Sequence, residues 1–288
     1  MSRLPTAASP APATTRHHVR VLGRADGPAV LLVHGFGSDQ SAWDRVLPAL
    51  TEGHRVVLMD QAGAGRFDAS AYDRERYSTL DGYAQDVVAV CEELDLRDVA
   101  VVAHSVSSVI AARAALLAPG RFARIVMLAP SARYTDDPAD GYDGGFSAED
   151  VEELLASLDH NYLSWTASVA PMIMGNPERP ELGEEFTGSF RRLDPATARC
   201  FARATFLADS RELLTRVQVP VAVLQCRDDA LAPDTAVREV VRRLPRATLV
   251  PLRATGHCPH VSAPEETAAA VLAHLAHPAD RAAPVPQP

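Results

Sequence analysis

Ala103-His104-Ser105-Val106-Ser107 stands where an apolar run, Val99–Ala103, gives way at once to a segment of helical pattern reaching Ala115. A strand turning directly into a helix holds the residue between them in strained backbone geometry, and small neighbours two positions either side relieve the crowding. This is the nucleophile elbow, commonly written G-x-S-x-G, here with Ala103 and Ser107 in the glycine places. A serine before a helix is also an ordinary N-cap, so the motif needs company. A nucleophilic serine requires a base to take its proton and a carboxylate to hold the base's tautomer, and behind an elbow they follow in the order Ser, Asp, His. Cys226-Arg227-Asp228-Asp229 follows one apolar run, and Thr255-Gly256-His257 follows the last. His34-Gly35-Phe36-Gly37, directly after the run Ala29–Val33, is the third element. Its glycines leave room for a backbone N–H to face a developing oxyanion, and the amides of Phe36 and Val106 are the expected donors.

Other motifs carry less. The Gly-rich stretch at His34 lacks the G-x-G-x-x-G opening of a dinucleotide site, and Gly63 and Gly65 read as a loop. In His257-Cys258-Pro259-His260 the proline breaks the helix that a metal pair would need, and no carboxylate cluster accompanies it. His17 and His18 are expected at a frayed edge.

The elements that must position these residues are short apolar runs alternating with segments of helical period. Strands are expected at Ala29–Val33, Arg55–Met59, Val99–Ala103, Arg124–Leu128, Val219–Gln225 and Thr248–Leu252, each apolar on both faces as a buried parallel strand is. Asp81–Leu96 and Pro264–Ala276 read as helices between or after them. Such alternation predicts an α/β fold with a parallel sheet covered on both faces, and sites at the carboxyl ends of its strands. From 131 to 208 the alternation stops and only helical patterns appear. Ser147 with Asp150 makes a capping box ahead of Val151, Leu154, Leu155, Leu158, Tyr162 and Trp165, and Asp194-Pro195 opens a helix running through Phe201. This reads as a helical lid inserted in a domain spanning 17–278, with low-complexity tails at 1–16 and 279–288.

Composition narrows the chemistry. Among 288 residues, 47% are hydrophobic and 23% charged, ordinary globular usage. The net charge of −9 argues against nucleic acid or an anionic membrane as partner. No run reaches the ~18 apolar residues of a membrane span. All 28 basic residues are arginine, which excludes a lysine Schiff base and a P-loop lysine. Cys91, Cys200, Cys226 and Cys258 show no C-x-x-C spacing, and a reducing, cytoplasmic setting is the default.

The strings around the chemical residues resemble a known family. His34-Gly-Phe-Gly with Asp39-Gln40-Ser41-Ala42-Trp43, the stretch Tyr77 to Asp86, Tyr142-Asp-Gly-Gly-Phe146, and Gly256-His-Cys-Pro-His260 are similar to those of α/β-hydrolases of the RsbQ type. Those are bacterial stress regulators related to plant strigolactone and karrikin receptors, and the resemblance runs from about Val19 to Ala276. It implies an α/β-hydrolase fold, a mostly parallel sheet with helices on both faces and a four-helix lid over an apolar pocket. It assigns Ser105 as nucleophile, His257 as base and Asp229 as orienting acid. Asp229 is preferred to Asp228 because the family places its acid four residues before a proline, here Pro233. Phe36, His104, Trp165 from the first lid helix and Phe201 from a later one are expected to line the pocket. Ala103 departs from the family's glycine, and its methyl group is expected to lower activity without abolishing it.

The implied function is a slow serine hydrolase that cleaves or senses a small apolar ester or lactone. It would act as a positive regulator of sigma-factor stress signalling, with a PAS-containing serine phosphatase as partner. A metabolic carboxylesterase or lactonase without a signalling role is the alternative. A dehalogenase or epoxide hydrolase is disfavoured, because those relatives carry aspartate where Ser105 stands. No cofactor, metal, nucleic acid or membrane is expected.

Overall fold

The computed structural model describes residues 11–276, and the C-terminal tail expected at 279–288 and residues 1–10 of the N-terminal one lie outside them. The chain begins with α1 (Ala13–Arg16), β1 (Arg20–Gly23), β2 (Ala29–Val33), α2 (Leu47–Thr51), β3 (Arg55–Met59), α3 (Leu80–Glu93), β4 (Val99–His104), α4 (Val106–Leu117) and β5 (Phe122–Leu128). An all-helical stretch follows: α5 (Ala148–His160), α6 (Tyr162–Met174), α7 (Pro180–Arg191), α8 (Pro195–Phe206) and the short α9 (Arg211–Leu214). The sheet resumes with β6 (Val221–Arg227), α10 (Asp234–Arg243), β7 (Ala247–Thr255), α11 (Pro259–Ser262) and α12 (Pro264–Ala276).

The seven strands form one sheet in the order β1-β3-β2-β4-β5-β6-β7, parallel except for β1 against β3. Successive strand residues point to opposite faces. Leu31, Val33, Val57, Met59, Val101 and Ile125 therefore join one core with α3, α4 and α10, while Val30, Leu32, Val56, Leu58, Val102 and Val126 join another with α2 and α12. Strands feeding two cores must be apolar throughout, which is why their sequences read as continuous hydrophobic runs. A third apolar cluster, built from Leu155, Leu158, Trp165, Phe186, Phe190 and Phe206, holds α5 to α8 together.

Four expectations need correction. The strand β1 carries no apolar run, because an edge strand with alternating exposure has only one face to bury. The run at Thr248–Leu252 is likewise the opposite edge, within β7, and stays half-exposed. The low-complexity tail ends earlier than position 16: Ala13 is buried in α1, and Glu93 accepts hydrogen bonds from the Thr14 amide and hydroxyl at 3.1 and 2.6 Å. His17, expected at a frayed edge, is fully buried, with Nδ1 donating to the Asp60 carbonyl at 2.9 Å and Nε2 lying 3.4 Å from Asp86.

The capping box at Ser147 forms as expected, with the Asp150 amide donating to the Ser147 hydroxyl at 3.1 Å. The helix it opens is shorter than its apolar stripe. Asn161 leaves helical geometry (φ −148°, ψ 84°) and its side chain accepts from the Ser164 amide at 3.1 Å, so a new helix starts. Asparagine is a strong N-cap, and the break puts Trp165 on the second helix of this stretch, not the first.

Candidate active site

Ser105 lies between the last residue of β4 and the first of α4, with φ 57° and ψ −129°. A non-glycine residue there costs about 1–3 kcal/mol and persists only where its surroundings fix it. Its amide donates to the Leu128 carbonyl at 2.8 Å, tying the turn to β5. Gly35 makes a second constraint possible. A Cβ at that position would fall 2.6 Å from His104 Nδ1 and 3.2 Å from the Ser105 Cβ, so only glycine lets the loop after β2 approach the elbow.

The loops after β6 and β7 bring the partners. His257 Nε2 is 2.7 Å from Ser105 Oγ, and His257 Nδ1 is 2.9 and 2.8 Å from the two Asp229 carboxylate oxygens. A carboxylate accepts, so Nδ1 carries the hydrogen and Nε2 is left to accept from the serine hydroxyl. Asp229 Oδ1 also accepts from the amides of Leu231 and Ala232 at 2.9 and 3.0 Å. Those bonds hold the carboxylate in one orientation. Asp228 is exposed, with φ 50°, and takes no part.

The amides expected to receive an oxyanion lie in the loop after β2 and at the first residue of α4. Among the described residues neither the Phe36 nor the Val106 amide donates to a protein acceptor. Ser107, in the second glycine place of the elbow, donates to the His34 carbonyl at 2.5 Å and accepts from Gln61 Nε2 at 2.8 Å. The Gln61 amide in turn donates to His34 Nε2 at 2.9 Å, which leaves Nδ1 to donate to the Gly35 carbonyl at 2.9 Å. The serine hydroxyl thus ties the elbow to the loop that carries Phe36.

Phe36 is the hub of an aromatic wall. Its ring centroid lies 6.3 Å from Trp165, 5.7 Å from Phe201, 5.3 Å from Phe190 and 6.4 Å from Phe206. Trp165 and Phe201 are therefore both brought to Phe36, while Phe190 and Phe206 were not singled out from sequence. Phe201 also stacks on Tyr83 at 4.3 Å and so joins the helical insertion to the core below. Tyr134 was missed as well: its hydroxyl is 3.4 Å from Ser105 Oγ, and burial pushes its pKa up.

His104 does not take the place expected of it on the pocket wall. Its Nε2–H donates to the His257 carbonyl at 2.8 Å, and its ring packs on those of His257 and His260 at 4.9 and 4.5 Å. Neighbours at a strand end face opposite ways, so with Ser105 facing the site His104 turns behind it.

The sequence model of the alpha/beta hydrolase family matches residues 30–270. This chain belongs to the alpha/beta hydrolase family. Among its relatives, the karrikin insensitive 2 receptor IA of Petunia hybrida is 37% identical over 260 residues, covering 90% of this chain and 94% of that one. Strigolactone esterase D14 of Arabidopsis thaliana is 34% identical, covering 87% and 93%. A solved hydrolase from Oleispira antarctica superposes with a TM-score of 0.89 at 35% identity, covering 92% of this chain and 97% of that one. Among the described residues no helix is long and apolar enough to cross a membrane.

The imidazoles packed around this alpha/beta hydrolase's triad carry a stability consequence. Burial, the largest cause, pushes the pKa values of His34, His104 and His260 down, that of His260 to about 3. An unfolded histidine titrates near ~6.5. On acidification the unfolded chain therefore takes up protons that the folded one refuses, so stability present above about 6.5 is lost as pH falls toward these lowered values. The melting temperature should drop between about pH 7 and about pH 5, ahead of carboxylate titration. His260→Phe, keeping a ring against Trp43, should flatten that drop; a slope identical to wild type would remove His260 from the account.

Proposed function

We propose that this hydrolase cleaves or senses a small apolar ester or lactone through Ser105, His257 and Asp229. The observation that carries the reading is the paired bonding of one imidazole, to Ser105 on one nitrogen and to Asp229 on the other. In the first step His257 Nε2 takes the Ser105 proton as Oγ adds to the substrate carbonyl. The carbonyl electron pair moves to oxygen, which the Phe36 and Val106 amides receive. His257 then returns the proton to the departing alkoxide, which for a lactone stays tethered to the acyl chain, and water completes the cycle by the reverse route. The aromatic wall of Phe36, Trp165, Phe190 and Phe206 favours an apolar substrate.

We propose further that slow turnover serves signalling, with a PAS-containing serine phosphatase of the sigma-factor stress response as partner, inside the cytoplasm. The likeness of the sequence strings to RsbQ-type regulators supports it, as does the 34–37% identity to proteins named as karrikin receptor and strigolactone esterase. The four cysteines, all free, suit a reducing compartment. The test is to titrate wild-type and Ser105→Ala protein into the phosphatase from the same genome and follow dephosphorylation of its substrate. Stimulation by wild type supports the reading. If neither protein binds or stimulates, and wild type turns over simple esters rapidly alone, a metabolic esterase or lactonase stands instead.

A further inference from the structure

The main chain of His257 is held from two sides. Its carbonyl accepts from His104 in the core, while its amide donates at 3.0 Å to the carbonyl of Ile173, in the last turn of α6. The imidazole that faces Ser105 is thus fastened to the helical insertion through its own backbone. The two backbone segments approach more closely than side chains allow. A Cβ on Gly256 would fall 2.0 Å from the Met174 carbonyl oxygen, one on Gly175 would fall 2.7 Å from the Gly256 Cα, and both glycines have positive φ, 77° and 64°.

Two side chains lock this contact. Asn176 is 5% exposed, and its Nδ2 donates to the carbonyls of Met174 at 2.6 Å and Thr255 at 3.2 Å. One amide group therefore joins the end of α6 to the end of β7. Asn176 Oδ1 accepts from Arg179 at 2.5 Å, and the same guanidinium donates to the Ser262 carbonyl at 2.8 Å. Thr255 and Ser262 bracket the loop that carries His257.

We infer that Asn176 and Arg179 are positioning residues for His257, fixing the turn between α6 and α7 to both ends of the 255–262 loop. The inference rests on the triad reading proposed above. Neither side chain touches Ser105; both act through the backbone carbonyls of Met174, Thr255 and Ser262. Misplacing a catalytic group by about 1 Å can cost ~10²-fold in rate. The loop keeps its bond to His104, so the expected loss is about 10-fold.

The experiment uses the full chain with Asn176→Ala, Arg179→Gln, the double variant, and Arg97→Gln as an exposed control away from the site. Three quantities are read: kcat and KM on p-nitrophenyl acetate, the rate at which a fluorophosphonate modifies Ser105, and the downfield NMR signal of the His257 Nδ1 proton. The inference expects kcat and the modification rate to fall together by about 10-fold for Asn176→Ala with KM held, and less for Arg179→Gln. The double variant should be no worse than Asn176→Ala, because both residues belong to one network. The Nδ1 signal should shift or broaden, and Arg97→Gln should match wild type. If both single variants modify Ser105 at the wild-type rate and keep the Nδ1 signal, with only the melting temperature lowered, the clamp is merely structural and the inference is overturned. Should Asn176→Ala fail to fold, Arg179→Gln decides, since that side chain is 41% exposed. Failure of the triad reading looks different: the wild type itself would then leave Ser105 unmodified.

Discussion

Ser105→Ala should lower kcat on simple esters by about 10⁶-fold, the scale of loss when a serine protease is stripped of its nucleophile. The hydroxyl has no structural duty that alanine would fail. Among the described residues its Oγ hydrogen-bonds only to His257 and, at 3.4 Å, Tyr134, while the amide bond to Leu128 that fixes the elbow belongs to the backbone. The variant should therefore keep its melting temperature and lose reaction with fluorophosphonate. Turnover surviving within an order of magnitude would mean that another group attacks the carbonyl.

Asp229→Asn should cost about 10⁴-fold, and Asp228→Asn almost nothing. The amides of Leu231 and Ala232 donate to one oxygen of Asp229. An asparagine would keep its carbonyl oxygen there and turn its NH₂ toward His257 Nδ1. Two donors cannot face each other, so the imidazole proton would move to Nε2 and the ring would no longer accept from Ser105. Kinetics of both variants at constant fold, checked by melting temperature, decide between the two aspartates. A crippled Asp228→Asn beside an active Asp229→Asn would move the orienting carboxylate by one residue.

What the sequence made legible follows from where each residue sits. Ser105 and Asp229 each follow a buried strand whose continuous apolar run stands out from its surroundings, and His257 follows the apolar stretch of the edge strand β7. The two edge strands are different: β1 alternates in exposure and β7 stays half-exposed, so the first was missed and the second misread as buried. The aromatic wall was only half legible. Phe190 and Phe206 satisfy helical spacing on their own helices, and nothing local says that both meet Phe36. Tyr134 lies in the irregular stretch after β5, where no period exists to read. The turn of His104 away from the site, the burial of His17 and the Asn176–Arg179 network depend on backbone carbonyls brought close only by tertiary packing.

Ser105 and His257 stand 152 residues apart in the chain, and the base follows β7, the final strand and an outer edge of the sheet. Contacts of such long reach form only after their closure entropy has been met. A ribosome-bound chain that has exposed everything through α9 already holds the serine, the elbow and the whole helical insertion, yet has no base to use. Competence thus waits until β7 and the loop behind it have emerged.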